Sequence, residues 1–143
     1  MASDFLRNVW LFTALSDDQL DAISNFTFRA KFSAGDLIVE EGQTGNGLYV
    51  IMSGNVEAVK GYGTENMQVV NKLAAGEVFG EMALLGEWPR TATVRAVDAV
   101  ECLGIDRWVF LSQLERYPQV GIKMLQILAQ RLKESDTRLM ELS

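Results

Sequence analysis

Between Phe26 and Ile105 the apolar positions fall in short runs, alternating or continuous, at residues 28–32, 37–39, 48–52, 56–59, 67–73, 92–97 and 100–105. Each run is closed by Gly, Asn or Asp, and this spacing predicts roughly seven or eight short strands of an all-β roll or barrel. The period changes on both sides. Ser16-Asp17-Asp18-Gln19 reads as a capping box with Ser16 as N-cap, and Leu20 and Ile23 follow at helical spacing. Beyond Trp108 the pattern is helical to about Arg116, breaks at Tyr117-Pro118 and resumes to Ser143, with Pro118 suited to a first helical turn. The predicted organisation is a single unit over residues 1–143, helical at 4–25, a roll at 26–106 and C-terminal helices at 107–143.

The last helix carries Leu125, Leu128, Leu132, Ser135, Leu139 and Leu142, the spacing of a heptad seam, with Ser135 its one polar interruption. A second face, Val120, Met124 and Ile127, suits packing onto the roll. Two apolar faces imply two contacts. Either both bury within one chain, or Leu125, Leu128, Leu132 and Leu139 meet a second copy.

Composition narrows the chemistry. With 48% apolar and 22% charged residues in 143, the chain has the make-up of one globular domain with a substantial core. Its 13 basic and 19 acidic residues give a net charge of −6, which disfavours nucleic acid or anionic membrane as partners of this chain alone. Histidine is absent, which excludes Ser-His-Asp and Cys-His nucleophiles and His-ligated metal sites, so neither catalytic residues nor a metal are expected. Cys102 is the sole cysteine, so an internal disulfide is impossible, and its apolar setting suits a buried thiol. No apolar run approaches the roughly 18 residues that span a bilayer. The start, Met1-Ala2-Ser3-Asp4, lacks a basic leader, and a cytoplasmic protein is expected.

The most informative stretch is residues 79–94, Phe79-Gly80-Glu81-Met82-Ala83-Leu84-Leu85-Gly86-Glu87-Trp88-Pro89-Arg90-Thr91-Ala92-Thr93-Val94. A glycine allows close backbone approach to a ligand, and a short helical turn after it offers free N–H groups to an anion. Arg90, at the mouth of the following strand, has the planar fork that grips phosphate. The residues alone leave open a simple Glu81–Arg90 ion pair with Gly80 as a turn.

This stretch resembles the phosphate-binding cassette of the cyclic nucleotide-binding domain family, the type found in catabolite activator proteins, cyclic-nucleotide-gated channels and protein kinase regulatory domains. The resemblance extends outward through Phe12 to Ser16, Phe32-Ser33-Ala34-Gly35-Asp36-Leu37-Ile38, Glu41-Gly42 and Leu48-Tyr49-Val50-Ile51-Met52-Ser53-Gly54-Asn55-Val56. It implies an eight-stranded antiparallel, jelly-roll-like β-roll with N-terminal helices and C-terminal lid or dimer helices. It also implies a non-enzymatic sensor of cAMP or cGMP needing no cofactor.

Carried over by residue, the resemblance implies that Arg90 grips the exocyclic phosphate oxygens, with N–H groups around Met82, Ala83 and Ala92 beside it. Glu81 would accept the ribose 2′-hydroxyl, and Phe79 and Gly80 would bring the backbone over the sugar. Thr91 stands where a hydroxyl accompanies good cGMP binding, without excluding cAMP. Val59 and Leu73 resemble the apolar base contacts, with ordinary core packing as their other reading. Ser135 and Asp136 fall where a lid helix would meet the base, or are solvated helix residues. Trp88 departs from the family pattern; it either shields the site or packs on the surface. The rival expectations are an interaction module on the same fold that binds no ligand, and a receptor for another anionic small molecule.

Overall fold

The computed structural model describes residues 2–142, with side chains through Asp136. The chain opens with α1 (Ala2–Leu6), a 3-10 turn (Trp10–Phe12) and α2 (Asp17–Ser24). The capping box is formed: the Gln19 N–H donates to Ser16 Oγ over 3.2 Å, and the Ser16 N–H donates to Gln19 Oε1 over 3.0 Å. Eight strands follow: β1 (Phe28–Phe32), β2 (Leu37–Val39), β3 (Gly47–Ser53), β4 (Val56–Lys60), β5 (Gln68–Leu73), β6 (Val78–Phe79), β7 (Thr93–Ala96) and β8 (Val100–Asp106). Two C-terminal helices, α3 (Arg107–Arg116) and α4 (Pro118–Leu142), complete the order.

The strands form two four-stranded sheets, β1-β8-β3-β6 and β2-β7-β4-β5, with every pairing antiparallel. The mainly β class, the roll and the flanking helices are as expected. All seven predicted runs are strands, and the eighth, β6, is two residues long, too short to show a period. The run at 92–97 contracts to Thr93–Ala96 because the Val97 N–H turns away to Asn55 O over 2.9 Å.

Burial explains why some runs alternate and others are continuous. Successive strand side chains face opposite ways. On β3, Leu48 and Val50 join a core beneath the helices, whereas Ile51 enters the core between the sheets. On β8, Leu103 and Ile105 divide from Cys102 in the same way. Both strands are covered on both faces and therefore read as unbroken apolar runs. Edge strand β5 is exposed along most of its length.

The helical core gathers Leu6, Leu11, Phe12 and Leu20 with Phe110, Val120 and Met124. Helix α4 lies against the N-terminal turn, with the Arg131 guanidinium 4.1 Å above the Trp10 ring. Its packed face runs through Val120, Met124 and Leu128, so Leu128 sits against the core, whereas Leu125 and Leu132 are each 65% exposed. Leu139 and Leu142 lie outside the residues whose side chains are described. Among the described residues no helix is long and apolar enough to cross a membrane.

Candidate ligand-binding site

Residues 79–94 connect the two sheets. Strand β6 pairs with β3 in one sheet, and β7 lies between β2 and β4 in the other. Between them a 3-10 turn, Glu81–Leu84, starts at Gly80, whose φ of 81° is left-handed and suits a residue without Cβ. The Ala83 N–H closes that turn on Gly80 O over 3.0 Å. No backbone partner is found among the described residues for the N–H groups of Met82 and Ala92. Phe79 is buried and stacks on Tyr49 at 5.3 Å between ring centroids.

Arg90 is held from the β2–β3 loop. Its N–H donates to Gln43 O over 2.8 Å, and its carbonyl accepts from the Gly42 N–H over 2.9 Å. The guanidinium is partly buried and donates through Nη2 to Gly47 O over 2.9 Å. It passes so close to Gly45 that a Cβ there would stand 2.7 Å from Nε, and a Cβ at Gly80 would strike Nη1. Burial pushes the Arg90 guanidinium below its ordinary range, with the Tyr49 phenol opposing, while burial pushes that phenol up against the pull of Arg90.

Arg90 is distinguished by what it lacks. Arg7, Arg29, Arg95 and Arg107 pair with Asp17, Glu101, Glu57 and Glu87, while Arg116 and Arg131 lie over aromatic rings. Among the described residues Arg90 has neither a carboxylate in ion-pair range nor a ring beneath it. The alternative Glu81–Arg90 ion pair is therefore not formed. Glu81 stands partly exposed at the start of the turn, with Met82 and Thr91 exposed nearby in sequence. A partly buried cation with unfilled donors, beside free backbone amides, can receive an anion.

The remaining expected contacts divide. Leu73 is partly buried against the inter-sheet core, the packing alternative left open for it. Val59 is fully buried on β4, opposite Thr93. Ser135 and Asp136 are exposed on α4 and make no hydrogen bond to the cassette among the described residues. Trp88 lies against Gly86 and is 50% exposed, so its ring packs on the loop's surface.

Two features escaped the sequence reading. One is the Gly45-Asn46-Gly47 loop that makes room for Arg90; the doubled glycine was its only signal. The other is Arg107, only 6% exposed, whose Nη2 donates to Glu87 Oε1 over 2.5 Å and whose N–H donates to Asn46 O over 2.6 Å. It ties the cassette loop and the β2–β3 loop to the first residue of α3.

Among the described residues, Arg90 thus stands over a glycine-led turn with no carboxylate partner, an arrangement with the make-up of an anion site. A model of the cyclic nucleotide-binding domain matches residues 29–117. The chain is 33% identical over 129 residues to the cyclic AMP receptor protein of Thermus thermophilus, covering 90% of this chain and 60% of that protein. It is also 33% identical over 134 residues to a cGMP-dependent protein kinase of Plasmodium berghei, covering 93% of this chain and 14% of the kinase. The N-terminal domain of a transcriptional regulator from Streptomyces coelicolor superposes with a TM-score of 0.88 at 28% identity, covering 95% of both chains. The chain belongs to the cyclic nucleotide-binding domain family and has the fold of its regulatory domains. It spans less than two thirds of the length of the two curated relatives.

Proposed function

We propose that this chain senses a 3′,5′-cyclic purine nucleotide, cAMP or cGMP, whose phosphate fills the open donors of Arg90. The observation that carries the reading is the partly buried guanidinium with a single carbonyl partner and no carboxylate. The amides of Met82 and Ala92 complete the anion site, with Ala83 behind them as the residue that closes the turn. Glu81, standing free of Arg90, is available to accept the ribose 2′-hydroxyl, and Gly80 lets the backbone approach the sugar. Thr91, exposed beside the arginine, offers a hydroxyl to a guanine.

The response follows from what the other side of the cassette touches. Leu84 is fully buried in the helical core, and Leu85 packs beside it together with Met124 and Leu128. Closure of the turn on a phosphate moves these leucines against α4 and shifts a pre-existing equilibrium toward a state in which Ser135 and Asp136 approach the base. The exposed Leu125 and Leu132 give α4 a surface through which a second copy would register that shift.

The test is titration calorimetry of the chain with cAMP, cGMP and 5′-AMP, with Arg90→Ala as control. Micromolar or tighter binding of a cyclic nucleotide is expected, with none for 5′-AMP. The variant is expected to lose on the order of 100-fold or more in affinity, the usual cost of removing one partner of a buried charged contact. Absence of binding by both cyclic nucleotides would overturn the reading and favour an interaction module.

A further inference from the structure

We infer that Arg107, at the first position of α3, is a positioning residue for the phosphate site, a role that rests on the cyclic nucleotide reading: it clamps together the two loops that aim Arg90 and acts through them. Residues 42–47 and 86–90 run side by side. The Gly42 N–H donates to Arg90 O over 2.9 Å, the Arg90 N–H to Gln43 O over 2.8 Å and the Gly45 N–H to Trp88 O over 3.1 Å. The far end of Arg90 meets the same loop, through Nη2 to Gly47 O over 2.9 Å. The aim of the fork is therefore set by how these two loops sit on the rest of the chain. Arg107 holds one with its backbone and the other with its side chain. Its N–H donates to Asn46 O over 2.6 Å, one residue from the carbonyl that receives Arg90, and its Nη2 donates to Glu87 Oε1 over 2.5 Å.

Arg107 is badly placed for stability alone. A cation in the first helical turn opposes the helix dipole. The residue is only 6% exposed, and its Nε is buried with no hydrogen-bond partner among the described residues. Burying a charge and leaving a donor unmet both cost free energy. Its counter-ion, the Glu87 side chain, is 60% exposed, so the pair is not sealed in a core where it would be strongest. A residue that breaks the local rules for a helix start is accounted for by what it joins. Its own footing is firm: the Trp108 ring lies 4.3 Å from the guanidinium, and the Trp108 and Val109 N–H groups donate to Asp106 Oδ1 over 2.9 and 3.2 Å. A clamp so fixed pre-organises the anion site and lowers the cost of ordering Arg90 when a phosphate arrives.

The experiment measures cAMP and cGMP affinity by calorimetry and, on the ligand-free chain, amide hydrogen exchange by NMR. Arg107→Gln and Glu87→Gln are each expected to weaken nucleotide binding on the order of tenfold, and Arg107→Lys, which keeps the charge without the fork, by about threefold. In an Arg90→Lys background the two glutamine variants are expected to cost less than about twofold, because the residue they position is already changed; a purely structural role costs the same in both backgrounds. Without ligand, the Gly45 N–H is expected to exchange on the order of tenfold faster in Arg107→Gln than in the natural chain, relative to the amides of β3. If Arg107→Gln does not fold, Glu87→Gln, altered at an exposed carboxylate, carries the same readouts. Positioning is overturned if the natural chain binds nucleotide and both glutamine variants bind within about twofold of it, or if their cost is undiminished in the Arg90→Lys background. Unchanged exchange at Gly45 overturns the clamp whatever the chain binds. Absence of nucleotide binding by the natural chain overturns the cyclic nucleotide reading and this role with it, and the exchange at Gly45 then tells the two failures apart.

Discussion

An arginine that donates to one carbonyl keeps most of its five N–H donors unused, and only an acceptor arriving from outside can use them without displacing a neighbour. At Arg90 the geometry also demands the planar fork, because the guanidinium threads between Gly45 and Gly80 with no room for a Cβ at either. Arg90→Lys is therefore expected to keep the charge and still weaken cyclic nucleotide binding on the order of tenfold, measured by the same calorimetry. Cys102 shows the opposite use of burial. It is completely buried between the sheets, and burial, with Glu101 adding to it, pushes the thiol up to about 11. The folded chain then holds the proton that the unfolded chain releases at lower pH, so this residue's contribution to stability is complete below the ordinary thiol range and falls as pH rises toward 11. Urea unfolding of the natural chain and Cys102→Ala is expected to give a stability difference that narrows or reverses between about pH 9 and 11. A difference constant over that range would show that the buried thiol has no such linkage.

Among the elements, the 3-10 turn has two roles because of its short pitch: its start faces the arginine and its end, Leu84, is an apolar anchor among the helices. Leu84→Ala is expected to destabilise the fold by roughly 2–5 kcal/mol in chemical unfolding, the range for an emptied leucine site. Helix α2 is fixed by local chemistry instead, and Ser16→Ala is expected to cost about 1 kcal/mol through loss of the capping box. These two elements also show what a sequence discloses. The Ser16–Gln19 box and the strands β3 and β8 were legible because their determinants lie within a few residues or repeat at a fixed period. The approach of Gly45 to Arg90 was not, since it joins loops 45 positions apart and leaves no periodic trace. The Arg107–Glu87 pair was hidden for the same reason, and an arginine at the start of a helix reads from sequence as solvent-facing. The cassette itself was legible as a resemblance; spacing alone leaves a Glu81–Arg90 ion pair open.

At the scale of the whole molecule the unresolved balance lies on α4, whose two faces meet different environments. Val120, Met124 and Leu128 satisfy one face within the chain, which removes Leu128 from the simple seam that the heptad spacing suggested. Leu125 and Leu132 remain seven residues apart and 65% exposed, with Ile122 beside them at 55%. Exposed leucines at heptad spacing on one helix are the surface that a second helix covers, and an acidic chain of net charge −6 needs such an apolar contact to overcome its own repulsion. The chain is accordingly expected to self-associate through α4, with the weight-average mass in sedimentation rising from that of one chain toward two as concentration increases. The double variant Leu125→Asp, Leu132→Asp adds two charges to this face without touching the packed one, and it is expected to remain monomeric with unchanged far-ultraviolet circular dichroism. Higher salt should strengthen association of the natural chain by screening the repulsion while leaving the variant monomeric. A natural chain that stays monomeric across the concentration range would mean that these leucines await a different segment, and that any signal from the nucleotide site leaves through one chain alone.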